Sequence, residues 1–483
     1  MLFNSYEFLL VFLPAVIAGY FAIARLSSFA ANAFLAAASV AFYACWKLDF
    51  VWILAGSIVA NYLLGRRLSR DAALSQGSGR SRAILALGIA FNLALLGYFK
   101  YADFFIANLN AATGADVGFL RLALPLGISF FTFTQVAYLV DAWKGTAAEY
   151  SATNYVLFVT FFPHLLAGPI IHHKEMMPQF ADSRLKRVDW ENVARGLVLF
   201  TLGLGKKVLV ADPLAAWANA GFANAQHLTF ADGWITMLAY AMQLVFDFSG
   251  YTDMALGAAL MLNIRLPINF DSPYRSADIR EFWRRWHMTL SRFLRDYVYI
   301  PLGGNRRGEA RMLAAAVATF VIGGFWHGAA WTFVVWGAMH GVALVVLHFW
   351  KKVGRPLPRP LAILATALFV AMAFVVFRAA TLSDAWAILS SVMGLKGFAP
   401  AFAVPEWNWI GRAGVPPAEL AQGLTVAATL ALALVLTFTP RNSNHVAAGV
   451  RLDAAPPRYA FGLLAAAALV FVQNPTEFIY FIF

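Results

Sequence analysis

Apolar stretches long enough to cross a bilayer, or nearly so, recur along almost all of this chain, and no soluble fold accommodates so many. They run Phe8–Ala24, Ala30–Trp46, Phe50–Leu64, Ala83–Phe99, Leu122–Val140, Val193–Val210 and Trp234–Leu262, then Met312–Gly324, Trp331–Phe349, Leu361–Phe377, Leu420–Phe438 and Phe461–Val472. This is roughly eleven or twelve segments near the ~20-residue length that a hydrocarbon core requires. The composition agrees: 61% of the residues are hydrophobic, only 13% are charged, and the mean hydropathy is +0.66. Backbone groups in lipid must be satisfied within helices or closed barrels, and the sequence offers no barrel pattern. The expectation is an all-α polytopic membrane protein, a single integral-membrane domain over residues 1–483.

Charge orients the segments. The chain has 37 Lys and Arg against 25 Asp and Glu, a net charge of +12. In a soluble protein that excess suggests nucleic acid. Here it reads as basic residues gathered in cytoplasmic loops, with membrane lipid and not nucleic acid as the partner. The segment Arg66–Arg82 carries five Arg and one Asp and is placed in the cytoplasm, so the N-terminus and Cys45 lie on the outer side. The first segment, with no basic leader and no small-residue cleavage site, is expected to stay as a helix. Lys174–Arg187 is also basic and also assigned to the cytoplasm, which a simple span over Tyr155–Ile171 would contradict. Pro163, Gly168 and Pro169 interrupt that run, so it is read as re-entrant.

Several classes are excluded or weakened. Cys45 is the only cysteine, which rules out an intrachain disulfide and a multi-thiolate metal site. His164, His172, His173 and Glu175 do not have helix-borne zinc spacing, and Lys174 among them opposes clustered cation ligands, so no metal is expected. Gly203–Lys207 lacks phosphate-loop spacing and reads as a helix end with a basic anchor. No internal repeat is visible, so the inverted-repeat signature of many secondary transporters is missing.

The ionisable residues between Asp247 and His340 are where chemistry is sought, because such groups are costly in lipid and gather at protein-enclosed sites. Asp278 is positioned to cap a helix with Glu281 as its third residue. Trp283, Trp286, His287, Leu290, Phe293, Leu294 and Tyr297 then continue a helical period, with His287 set into an apolar face. Arg284, Arg285, Arg292 and Arg295 spread over its sides. They suit either lipid phosphates at the cytoplasmic interface or an anionic cofactor, for which Arg284, Arg285 and Arg292, with Trp283 beside them, are the candidate binding residues. His327, in GGFWHGAAW, is flanked by Gly323, Gly324 and Gly328 and by Trp326 and Trp331. A neutral imidazole suits removal of a proton from a hydroxyl at neutral pH. If the helix continues from His327 into Trp331–Phe349, His340 lies about 20 Å further along the axis and outside any shared site. His348, beside Phe349, Trp350, Lys351 and Lys352, reads as interfacial.

EFWRRWHMTLSRFLRDYVYIPLGGNRRG and GGFWHGAAW, together with MLFNSYEFLLVFLPAV, FFPHLLAGPI, FDFSGYTDMALG and the closing FIYFIF, make the chain resemble the bacterial branch of the membrane-bound O-acyltransferases, closest to the alginate O-acetyltransferase group. The resemblance implies a ring of transmembrane and tilted helices around a central tunnel, and implies that His327 and His287 are catalytic. It implies acetyl-CoA as the acetyl donor on the cytoplasmic side, with no bound cofactor, and a periplasmic acetyltransferase or carrier as partner. A bacterial inner-membrane location follows from it. In such a site His327 is the base, and His287 orients the thioester or stabilises the developing oxyanion. Asp247, Ser249, Tyr251 and Asp253 either line the tunnel or make helix-to-helix hydrogen bonds. The alternatives are transfer to peptidoglycan, cellulose or teichoic acid, a polymer transporter or flippase that consumes no thioester, and a non-catalytic scaffold.

Overall fold

The computed structural model describes residues 1–74, 78–148, 151–398, 417–449, 455–472 and 478–479. Every regular element among them is helical, as expected of a polytopic membrane protein. Five described helices are long and apolar enough to span: Glu7–Ala24, Gly79–Thr113, Glu309–His327, Trp331–Val353 and Arg359–Arg378. Ser28–Ala44 is apolar but one residue short of that length class, while Ile128–Trp143 has sixteen residues.

The chain forms two compact units. The first comprises Met1–Phe200 and Thr252–Pro267. Ser27 and Ser78 cap the helices Ser28–Ala44 and Gly79–Leu96 by accepting the amides of Ala30 and Ser81. Buried amides and hydroxyls tie helices together in this unit. The Asn92 amide donates to Asn61 Oδ1 at 2.6 Å, Gln135 donates to Ser57 Oγ at 2.8 Å, and the Tyr155 hydroxyl donates to Gln135. Apolar faces gain little by leaving lipid for protein, so packing and such polar links hold membrane helices together.

Two expectations need revision here, and a third holds. Helix Asp49–Leu74 runs on through Arg66, Arg67 and Arg70, so most of the described basic segment is helix rather than loop. Arg67 pairs with Asp71 one turn on, and Arg66 lies over the Tyr62 ring. Residues 75–77 of its Gly/Ser-rich part lie outside the described residues. The run predicted to begin at Leu122 becomes helical only at Ile128. Asp103 accepts the amides of Leu120 and Arg121 at 2.7 and 2.9 Å, fixing the preceding chain in an irregular path, and Pro125 follows. The predicted interruption near Pro163 is present. Ala152–Thr160 ends at Phe161, and a four-residue helix, Phe162–Leu165, follows. Nine helical residues extend only ~14 Å, too short to span.

The second unit comprises Thr201–Tyr251, Ile268–Gly449 and the described residues beyond 454. Its core is aromatic, with Trp217, Tyr240, Phe248, Phe282, Trp286 and Phe374 all buried. Glu309–His327 and Trp331–Val353 form an antiparallel helical hairpin that depends on missing side chains. A Cβ on Gly324 would lie 2.2 Å from the Phe333 carbonyl oxygen, and one on Gly337 would lie 2.2 Å from that of Phe320. Lys207 is not the surface anchor the sequence suggested. It is buried and pairs with Asp247 at 2.7 Å and Asp212 at 2.8 Å, while Asp247 also accepts the Ile479 amide at 2.9 Å. A lone buried ammonium is prohibitively costly, and two carboxylates compensate it.

Candidate active site

His287 and His327 meet within the second unit, their ring centroids 6.3 Å apart. Both are buried, His287 completely and His327 to 4% exposure. A single hydroxyl or carbonyl group can reach both rings at that spacing.

His327 is the last residue of helix Glu309–His327, and Gly328 leaves in an extended conformation. A Cβ on Gly328 would lie 2.0 Å from the Phe333 ring, so any side chain there would have to displace that ring. Trp326, Trp336 and Phe377 surround the imidazole at 4.9, 5.2 and 5.3 Å between centroids, each steeply inclined to it. Trp326 packs there as the sequence indicated, but Trp331, also expected to supply bulk, is exposed, and Trp336 and Phe377 take that place.

The surroundings of His287 differ from the expected unbroken helix. Asp278 does cap a helix, accepting the Glu281 amide at 2.8 Å, while Glu281 accepts the Ala277 amide at 2.9 Å. That helix stops after Trp283, and the next begins at Met288. His287 lies at the junction in the left-handed region, φ 43° and ψ 51°. Such a conformation costs on the order of 1–3 kcal/mol outside glycine and persists only where neighbours enforce it. The neighbour is the segment Asn269–Asp271. The Asp271 amide donates to the Arg285 carbonyl at 2.9 Å, and the Met288 amide to the Asn269 carbonyl at 3.0 Å. The Asn269 side-chain oxygen accepts the Thr289 amide at 3.2 Å and the Thr289 hydroxyl at 3.0 Å, and lies 3.3 Å from His287 Nδ1. The predicted apolar face survives the break: Trp283, Trp286, Leu290, Phe293 and Leu294 are all buried.

Burial pushes the His287 imidazole down to about 3, so the ring is neutral at physiological pH. The residue lies outside the five spanning helices.

His340 is closer to the site than a continuous helix would allow. The break at Gly328–Ala330 folds its helix back, and Trp336 separates the two rings, 5.2 Å from His327 and 4.8 Å from His340. The Trp283 indole N–H donates to His340 Nδ1 at 3.2 Å. Indole can only donate, so this nitrogen of His340 is an acceptor. Trp283 is thus buried against Phe320, Trp336 and His340.

The basic candidates occupy unlike places. Arg284 is exposed and Arg292 half-buried. Arg285 bonds Glu281 at 3.1 Å and Asp271 at 3.3 Å, bracing the turn that carries His287. Arg295 pairs with the adjacent Asp296. His348 bonds Glu309 at 2.9 Å. In the run from Asp247, Asp247 binds Lys207, Ser249 accepts from Lys206 at 3.3 Å, and the Tyr251 ring packs on Phe478. The first two are helix-to-helix contacts, whereas Phe478 lies outside any helix; Asp253 belongs to the other unit. Sequence reasoning passed over Asn269, whose only signal was an amide residue between Ile268 and Phe270 in the short segment bounded by Pro267 and Pro273.

Known proteins share this sequence broadly. The model of the membrane-bound O-acyltransferase family matches residues 126–383. The chain is 40% identical to the peptidoglycan O-acetyltransferase of Helicobacter pylori, over 100% of this chain and 98% of the relative. It is 38% identical to the "Probable alginate O-acetylase AlgI" of Pseudomonas aeruginosa, over 97% of this chain and 90% of the relative. A teichoic acid D-alanyltransferase of Bacillus subtilis is 29% identical over 52% of this chain. A family match over more than half the chain, around two enclosed histidines, places the chain in the membrane-bound O-acyltransferase family, as an O-acyltransferase.

Proposed function

We propose that this protein is an inner-membrane O-acetyltransferase. In this reading it takes an acetyl group from a cytoplasmic thioester, acetyl-CoA, and delivers it across the membrane for O-acetylation of an extracytoplasmic polysaccharide such as alginate, through a periplasmic acetyltransferase or carrier. The observation that carries the reading is the buried pair His287 and His327, 6.3 Å apart in an aromatic enclosure. A thioester is already activated, so the protein has chiefly to hold an acceptor hydroxyl at the carbonyl, take its proton and exclude water.

His327 is the proposed base. As it takes the hydroxyl proton, the acceptor oxygen bonds to the acetyl carbon, the carbon–sulfur bond breaks, and the departing thiolate recovers the proton. His287 holds the second polar contact to the reacting groups. Arg284 and Arg292, with Arg285 bracing the turn and Trp283 packed behind it, are the proposed surroundings of the anionic donor. Peptidoglycan is a second acceptor, favoured by the Helicobacter relative, whose match spans all of this chain.

The test is vectorial. Protein reconstituted with labelled acetyl-CoA only on the face bearing Arg66–Arg82 is expected to release CoA there and deliver label to an acceptor confined to the other face. Delivery that requires both substrates on one side refutes transfer across the membrane. Purified protein that moves polymer without consuming thioester refutes the enzymatic role.

A further inference from the structure

We infer that Asn269 is a positioning residue that fixes the tautomer of His287, so that His287 meets the reacting groups as a hydrogen-bond acceptor through Nε2. The inference rests on the acyl-transfer reading of the paired histidines and assigns a role within it.

The argument begins at a backbone amide, whose N–H can only donate. The Thr289 amide donates to Asn269 at 3.2 Å, so the atom it meets is the oxygen of the Asn269 side chain and not its nitrogen. The Thr289 hydroxyl meets the same oxygen at 3.0 Å. His287 Nδ1 lies 3.3 Å from that oxygen. An oxygen offers no proton to a ring nitrogen, so Nδ1 carries the hydrogen and donates it. A neutral imidazole has one N–H, and Nε2 is then the lone-pair nitrogen.

This constrains the chemistry. A neutral His287 in this tautomer cannot donate from Nε2 to a developing oxyanion, the role the sequence left open for it. It can accept a hydrogen bond or a proton from a hydroxyl. The left-handed turn reinforces the assignment, because Asn269 holds both the ring and the following amides, Met288 through its carbonyl and Thr289 through its side chain. The Asn269 Nδ2 atom is buried with no hydrogen-bond partner among the described residues. Asn269→Asp therefore keeps every acceptor contact that Asn269 makes and places a carboxylate behind the Nδ1–H of His287, favouring the imidazolium.

The experiment measures release of CoA thiol from acetyl-CoA by purified wild type, Asn269→Ala, Asn269→Asp and His327→Ala between pH 5.5 and 9. Asn269→Ala is expected to lose at least about 10-fold in kcat, part of the ~10²–10⁴-fold that a positioned acid–base group contributes, with KM for the donor within about 2-fold of wild type. Asn269→Asp is expected to recover most of that rate at alkaline pH and to lose activity more steeply than wild type as the pH falls. Asn269→Ala kinetics indistinguishable from wild type, or equal inactivity of both variants at every pH, overturns the role of Asn269. Should Asn269→Ala fail to fold, the pH dependence of Asn269→Asp decides, and a profile parallel to wild type sinks the inference. Equal thioester consumption by wild type and His327→Ala is a different failure, that of the acyl-transfer reading.

Discussion

The two histidines of the site are held by opposite means. His327 ends a long helix whose position is set by a hairpin of missing side chains, where Gly324 and Gly337 bring two backbones together. His287 sits in a break between two short helices, in a left-handed conformation held by hydrogen bonds to Asn269–Asp271. One is positioned by packing and the other by polar contacts within a loop. Packing between helices fixes where a ring lies, whereas hydrogen bonds also determine which of its nitrogens carries the proton.

Substitutions can separate these two kinds of support. His327→Ala is expected to have the largest effect, loss of about 10²–10⁴-fold in acetyl transfer with a near-normal melting profile in detergent. Residual activity above a few per cent of wild type points to another base. Gly324→Val should approach the same loss by another route, since its first side-chain carbon meets the Phe333 carbonyl, and it should also lower stability by about 1–3 kcal/mol. A Gly324→Val protein with wild-type activity would show that the hairpin does not position His327.

His287→Ala should be severely impaired, and His287→Asn should retain at least several-fold more activity. Asparagine tolerates the left-handed turn and keeps a polar side chain there. Equal inactivity of the two variants would mean that only an imidazole serves. Trp283→Phe removes the donor to His340 and should cost about 1–3 kcal/mol of stability with a small change in rate. A large rise in KM for acetyl-CoA would instead place Trp283 at the donor.

The last contrast concerns pH. His287 is held down to about 3 by burial, while an unfolded histidine titrates near 6.5. Between those values the unfolded chain binds more protons, so its contribution is complete above about pH 6.5 and declines as the pH falls toward 3. Thermal melting between pH 7 and 4 should therefore fall more steeply for wild type than for His287→Asn. Parallel curves would show that this ring is hydrated.

The sequence made part of this contrast legible. Apolar runs revealed the helices, Asp278 revealed a cap, and the glycines around His327 revealed close packing. The break before Met288 was hidden because the apolar period continues through it: Trp283, Trp286, Leu290 and Leu294 are buried on both sides of the interruption. The interruption is produced by hydrogen bonds from a segment almost twenty residues earlier, which periodicity along one helix does not register. His340 was placed too far away for a related reason. The turn at Gly328–Ala330 doubles the chain back, and axial distance along an imagined rod ceased to apply. Lys207 looked like an anchor because its partner Asp247 is forty residues away.

The clamp on that aspartate also imposes a schedule on biosynthesis. Asp247 receives the amide of Ile479, a residue 232 positions later in the chain. At about 5–20 residues per second, ribosomes need roughly 10–50 s to make the intervening polypeptide. During that interval Asp247 has Lys207 available from upstream, but its second partner does not yet exist. The nascent protein therefore passes through a stage in which the ion pair can form while one carboxylate oxygen still lacks its amide. Closing of this contact is a late event of maturation, and a chain arrested before Ile479 leaves the ribosome cannot complete it.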